Sequence, residues 1–199
     1  MSSIRSVCVY CGSSDFVADS FKEAARQTGT LLARSGFDLV YGGGRVGLMG
    51  IVADAGLSAG AKVTGIIPDH IKRYEVDHLG LTELIVVESM HTRKRMMVER
   101  SDAFVILPGG IGTLDEMFEI ITWRQLRLHG KPVIIVNIDG FWDPLLALLD
   151  HMTLTGFMRK PNLPGAEDRL YHVVDSVEEV PPLLARLTEA AHKVKSEKM

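Results

Sequence analysis

With 199 residues, 46% of them hydrophobic and 24% charged, the chain has the length of one domain and the composition of an ordinary folded protein. A net charge of −3 supplies no global basic field for nucleic acid. The apolar stretch that begins after Ser6 soon reaches Gly12, too short for a signal-peptide core or a membrane span, so a cytoplasmic protein without membrane attachment is expected.

Ile4 to Tyr10 reads as the first strand, followed by a small polar turn, Gly12-Ser13-Ser14, which either faces a ligand or is a plain loop. Cys8 and Cys11 form a C-x-x-C, but Cys8 falls inside the strand and the spacing puts the two on opposite faces. No second cysteine pair exists to complete a zinc site, so buried free thiols are expected. Phe16 to Ser35 has the apolar spacing of a helix and ends at Gly36; Phe37 to Tyr41 is the second strand. Gly42, Gly44 and Gly47 then satisfy G-x-G-x-x-G ahead of a helix over Val46 to Ala59. A dinucleotide site wants this motif in the first strand–helix unit and an acid at the tip of the next strand. Here the motif is in the second unit, and Pro68 ends the third strand (Lys62 to Ile67) before Asp69. A loop that admits a smaller nucleotide, or that lets neighbouring loops pack, is the better reading.

Asp69 to Leu81 is irregular and charged, either a cover for a site or a solvated connection. Glu83 to Val87 is the fourth strand. The helix from Met90 to Ser101 carries Arg93 and Lys94 in its first turn, where the helix dipole disfavours cations, so an anionic neighbour is expected. Ala103 to Leu107 is the fifth strand and Pro132 to Ile138 the sixth. Asp143 to Thr155 is a helix with Leu145, Leu146, Leu148, Leu149 and Met152 inside. Phe157 to Arg169 is loop, Tyr171 to Val174 a last short strand, and Ser176 opens the final helix. The single domain spans 1–192, and the Lys-rich 193–199 should fray. Strands and helices alternate about seven times, and the strands are apolar throughout. The expected fold is therefore α/β: a doubly wound, mostly parallel sheet of about seven strands in a Rossmann-like three-layer sandwich. Ligands then bind beyond the C-terminal strand ends, where both glycine loops and the Arg93 helix start should meet.

The chemistry concentrates in Val105 to Trp123. Pro108 stops the fifth strand, and Gly109, Gly110 and Gly112 leave backbone N–H groups uncovered at a helix start, the ingredients of a phosphate site. Thr113 stands as N-cap with Glu116 at capping-box spacing. Leu114, Met117, Phe118 and Ile121 mark a core face, leaving Asp115, Glu116, Glu119 and Thr122 on the other side. A carboxylate beside a bound phosphate is repelled by about 3 kcal/mol at roughly 5 Å and an effective dielectric of about 20. Glu116 therefore either closes the capping box or performs chemistry on the group attached to the phosphate.

Pro108-Gly109-Gly110-Ile111-Gly112-Thr113-Leu114-Asp115-Glu116, with Met90-His91-Thr92-Arg93-Lys94 upstream, resembles the Lonely guy (LOG) family of cytokinin riboside 5′-monophosphate phosphoribohydrolases, some of them formerly described as lysine decarboxylase-like. The likeness extends over Cys11-Gly12-Ser13-Ser14, Gly42–Gly50 and Ile121-Thr122-Trp123, with Ile111 where an aromatic is common and Asp115 where glutamate is common. It implies hydrolysis of the N-glycosidic bond of a nucleoside 5′-monophosphate, a cytokinin nucleotide or AMP, to free base and ribose 5-phosphate. It further implies Arg93 and Glu116 as the catalytic pair. The substrate contacts it implies are Glu75, Arg93, Lys94, Gly110, Ile111, Gly112, Thr113, Leu114, Asp115, Glu116 and Thr122. It implies no cofactor and no metal, and a homodimer with an interface around Thr122-Trp123-Arg124.

Elementary chemistry runs the same way. Cleaving an N-glycoside builds positive charge on the sugar, which a nearby carboxylate stabilises while it orients or deprotonates water. An adjacent arginine favours the charged carboxylate and fixes its position. Three rivals remain: pyridoxal phosphate–dependent decarboxylation, for which Lys94 and Lys131 are the candidate Schiff-base lysines, a non-catalytic nucleotide carrier of the same fold, and a broader nucleotide nucleosidase acting on AMP or similar without cytokinin preference.

Overall fold

The computed structural model describes residues 4–72, 78, 80–158 and 169–196. Among these, the strands β1 (Ser6–Tyr10), β2 (Asp38–Tyr41), β3 (Val63–Pro68), β4 (Glu83–Val87), β5 (Ala103–Ile106), β6 (Val133–Val136) and β7 (His172–Val174) form one sheet. Its order is β4-β3-β2-β1-β5-β6-β7, and every neighbouring pair is parallel. The connecting helices are α1 (Asp19–Arg34), α2 (Gly47–Ser58), α3 (Asp69–Lys72), α4 (Met90–Glu99), α5 (Ile111–Gln125), α6 (Asp143–Leu154) and α7 (Val180–Ser196).

Strand side chains alternate between two cores, which is why the strands read as unbroken apolar runs. Val7, Val9 and Cys11 point to one face with Leu32 of α1, Leu48 and Val52 of α2 and Leu184 of α7. Cys8 and Tyr10 point to the other with Met97 of α4, Met117 and Ile120 of α5 and Trp142. Helices therefore cover both faces, in three layers. Cys8 and Cys11 are buried free thiols on opposite faces, as their spacing implies. Among the described residues, no helix is long and apolar enough to cross a membrane.

Several local expectations need correction. Pro68 is the last paired residue of β3, opposite Val87, rather than a residue beyond the strand. At a strand end its missing N–H removes little from the ladder. In α6 only Leu149 is fully buried, and Leu148 is 50% exposed, because that helix presents a single stripe to the sheet. The capping box of Ser176 and Glu179 closes on a short 3-10 turn, Val177–Glu179, that runs into α7. The helix then continues to Ser196. Once docked through Leu183, Leu184 and Leu187, a helix propagates past its packed part at little cost.

The chain builds β1 to β4 outward in one direction, then returns to lay β5 on the other side of β1. The topological switch point thus lies between β1 and β5, and the crevice beyond it is where this architecture places ligands.

Candidate active site

Three turns meet beyond the switch point. Gly12, after β1, donates its N–H to the carbonyl of Pro108 after β5 at 3.0 Å, and its own carbonyl accepts from Leu48 N–H at 3.0 Å. Asp15 adds a carboxylate that accepts from Gly47 N–H at 2.9 Å. The Gly42–Gly50 turn, the Gly12–Asp15 turn and the Pro108–Gly112 turn are therefore laced together by main-chain hydrogen bonds.

The α5 helix begins earlier than the sequence implies. Gly110 is its N-cap in an extended conformation, no side chain caps it, and Thr113 lies inside the first turn with its side chain buried. The Thr113–Glu116 capping box does not form. A Cβ on Gly109 would stand 2.1 Å from Thr113 Oγ1, so the threonine hydroxyl folds back over a residue that has to be glycine. The first N–H groups of α5, at Ile111, Gly112 and Thr113, precede the first helical bond, from Leu114 N–H to Gly110 carbonyl. Gly110 and Gly112 are exposed, with nothing within 4 Å of where their Cβ atoms would be.

The buried stripe of α5 is also rotated relative to the apolar pattern. It comprises Thr113, Glu116, Met117, Ile120 and Ile121, while Phe118 is 36% exposed. Glu116 is thus an inward residue, not one of the solvent side. Counting apolar residues misses it because its compensation lies on another helix: Arg93 Nη1 is 3.5 Å from Glu116 Oε1, and both side chains are largely buried.

Arg93 sits early in α4, whose N-cap Ser89 accepts from Thr92 N–H at 3.1 Å. Its guanidinium is held from three sides. Nε donates to the Ile66 carbonyl at 3.0 Å, Nη2 donates to the Gly42 carbonyl at 3.0 Å, and Nη1 faces Glu116. The anionic neighbour expected of this cation at a helix start is thereby found. Lys94 has its own: Nζ lies 3.0 Å from Asp115 Oδ2 and 3.3 Å from Glu119 Oε1. Burial alone would lower the Lys94 pKa, but hydrogen bonds and charge from Asp115 and Glu119 outweigh it and hold the ammonium above its ordinary value.

Cys8 and Tyr10 share a sheet face with α4 and α5, and Cys11 lies on the other face. Burial first, and then the charge of Glu116, push the Cys8 and Cys11 thiols far above the ordinary thiol range, so neither is poised as a nucleophile. The structure thus gathers Arg93, Lys94, Gly110, Ile111, Gly112, Thr113, Asp115 and Glu116 along the α4–α5 edge. Leu114 packs against the core, and Thr122 is exposed further along α5. Glu75 lies outside the described residues. Sequence reasoning missed Glu119, although two carboxylates spaced i,i+4 opposite a lysine in a first turn are a usable signal. It also missed the Gly42 and Ile66 carbonyls, which no side-chain pattern encodes.

The decarboxylase rival requires a lysine able to lose its proton to form a Schiff base. Lys94 is clamped in its charged form by two carboxylates. Lys131 precedes β6, at the opposite edge of the sheet, where Nζ donates to the Val98 carbonyl at 2.6 Å. Neither fits pyridoxal phosphate. Among the described residues, no group of three or more His, Cys, Asp or Glu side chains is arranged to hold a metal ion.

A doubly wound parallel sheet with a bare helix N-terminus at its switch point, next to a buried Arg–Glu pair, defines an α/β protein of the Rossmann-like three-layer class. Residues 49–184 match the protein family described as "Possible lysine decarboxylase". The probable cytokinin riboside 5′-monophosphate phosphoribohydrolase LOGL5 of Oryza sativa subsp. japonica is 49% identical over 160 residues, covering 80% of this chain and 65% of the rice protein. The cytokinin riboside 5′-monophosphate phosphoribohydrolase of Rhodococcoides fascians is 45% identical over 155 residues, covering 77% of this chain and 78% of the other. The chain belongs to this Lonely guy family. It spans about two thirds of the length of the rice relatives it matches. In fold it is also similar to the Moco carrier protein of Chlamydomonas reinhardtii, with a TM-score of 0.70 at 18% identity over 94% of this chain and 99% of that one.

Proposed function

We propose that this protein hydrolyses the N-glycosidic bond of cytokinin riboside 5′-monophosphates, and of AMP, to free base and D-ribose 5-phosphate. The observation that carries the reading is the buried Arg93–Glu116 pair at 3.5 Å beside the uncapped start of α5. The N–H groups of Ile111, Gly112 and Thr113 take the 5′-phosphate, which presents the ribose to the neighbouring carboxylate. As the base departs, positive charge grows on the sugar; Glu116 stabilises it and orients and deprotonates the attacking water. Arg93 keeps Glu116 ionised and in place. Lys94, tied to Asp115 and Glu119, braces α4 against α5 and adds positive charge at the site's rim. Glu75, Leu114 and Thr122 complete the substrate contacts on the strength of the family resemblance. The names carried by the rice and Rhodococcoides relatives support the same substrate class.

The reading extends to a homodimer in the cytoplasm, with one nucleotide-binding domain over 1–192. The interface is proposed around Thr122-Trp123-Arg124, where Thr122 is exposed, Trp123 and Arg124 are half-buried, and Phe118, Leu126 and Leu128 nearby are exposed. Incubation with AMP and isopentenyladenosine monophosphate, followed for free base and ribose 5-phosphate, tests the proposal. Glu116→Ala should still bind AMP while turnover falls by roughly 10²–10⁴-fold. Tight AMP binding without turnover in the unaltered protein would instead favour the carrier reading.

A further inference from the structure

We infer that Gly42 is a positioning residue for the Arg93–Glu116 pair: a bare α-carbon at the end of β2 is what allows the guanidinium to lie where it meets the carboxylate. This rests on the proposed hydrolase reading, in which that pair acts on the substrate.

A Cβ built on Gly42 would stand 2.0 Å from Arg93 Nη2, 3.2 Å from its Cζ and 3.2 Å from Met49 Sδ. No side chain can share that space with the arginine. The Gly42 backbone is not in the left-handed region, so an alanine there is opposed by its neighbour and not by its own φ. The same residue's carbonyl accepts from Nη2, while the Ile66 carbonyl accepts from Nε. With those two nitrogens committed to the ends of β2 and β3, Nη1 is left pointing at Glu116. Gly42 thus supplies both the space and one of the two anchors that aim the arginine. The first glycine of the G-x-G-x-x-G motif serves a side chain of the protein itself.

Displacing the guanidinium should disturb Glu116 and leave the phosphate-binding start of α5 untouched. Gly42→Ala is therefore expected to lower kcat by roughly 10–100-fold, the scale of a misplaced catalytic group, with KM for AMP changed less than about two-fold. The decisive measurement is a double-variant cycle with Arg93→Ala, read both in Tm and in turnover. Removing the arginine removes the clash, so Gly42→Ala should lower Tm in the Arg93 protein and leave it nearly unchanged in the Arg93→Ala protein. If Gly42→Ala alone does not fold, Gly42→Ala/Arg93→Ala should still fold and melt with Arg93→Ala. Equal Tm losses on both backgrounds, a double variant that fails to fold, or a raised KM at unchanged kcat would each overturn the inference. If instead the unaltered protein releases no ribose 5-phosphate, or Glu116→Ala keeps full turnover, the hydrolase reading fails. The Tm cycle still decides the Gly42–Arg93 contact in that case.

Discussion

Two glycine-rich turns stand side by side at the C-terminal edge of the sheet, and they use glycine in opposite ways. In the Gly42–Gly50 turn the missing side chains are replaced by protein. Cβ atoms at Gly42, Gly47 and Gly50 would lie 2.0 Å from Arg93 Nη2, 2.3 Å from the Ser13 carbonyl carbon and 1.9 Å from the Arg45 carbonyl oxygen. In the turn after β5, Gly109 is filled by Thr113, but Gly110 and Gly112 face open space. The first turn is glycine-rich so that three loops and an arginine can interlock; the second leaves its backbone uncovered, and on the proposed reading that is where the phosphate approaches. The same residue type marks a packing device in one place and an uncovered backbone in the other. Only the contents of the Cβ positions distinguish them.

The comparison is most severely tested where the filling atom is backbone. Gly50→Ala pushes against the Arg45 carbonyl, which no rotamer can move, and should cost about 3 kcal/mol in denaturant unfolding, at the upper end for overpacking. A melt indistinguishable from the unaltered protein would mean that this turn is not interlocked. Gly112→Ala is the mirror experiment. Within α5 and with no neighbour to meet, it should raise stability by about 0.5–1 kcal/mol through helix propensity, while KM for AMP rises because the new methyl group stands where the phosphate approaches. Unchanged KM would move the phosphate away from α5.

A smaller effect is expected at Asp15. Its carboxylate accepts from Gly47 N–H and Asp15 is exposed, so Asp15→Ala should cost about 1 kcal/mol and loosen the first turn without altering the second. Hydrogen exchange at Gly47, measured against Gly112, reads the two turns separately. A pH-dependent effect lies away from both turns, at His172 on β7. Burial first, and then the charges of Arg124, Arg169 and Arg186, lower its pKa from 6.5 to about 4. The unfolded chain therefore binds more protons than the folded one between those values, and stability should fall as pH drops from 6.5 toward 4. His172→Phe should flatten that part of the stability–pH curve while leaving both glycine turns as they are.

The sequence by itself determined a great deal here. Apolar strands alternating with amphipathic helices dictate a parallel sheet covered on both faces, because such strands can be buried in no other way. A cation pair in the first turn of α4 requires anionic partners, and the Pro-Gly-Gly turn ahead of α5 leaves helix-start N–H groups uncovered. The fine assignment of roles was decided by tertiary structure. Thr113 looks like a cap but is interior, because the helix already begins after Gly110, which takes the extended N-cap conformation. Glu116 looks solvent-facing but is buried, because its partner arrives from a helix 23 positions earlier in the chain, beyond the reach of any local period. The first glycine motif reads equally as a loop for a small nucleotide or as a place where loops pack; the structure shows its first glycine holding an arginine through a carbonyl oxygen, a group every residue carries and no sequence pattern marks. Periodicity records which residues prefer to leave water; it does not record which polar groups find one another once they have left it.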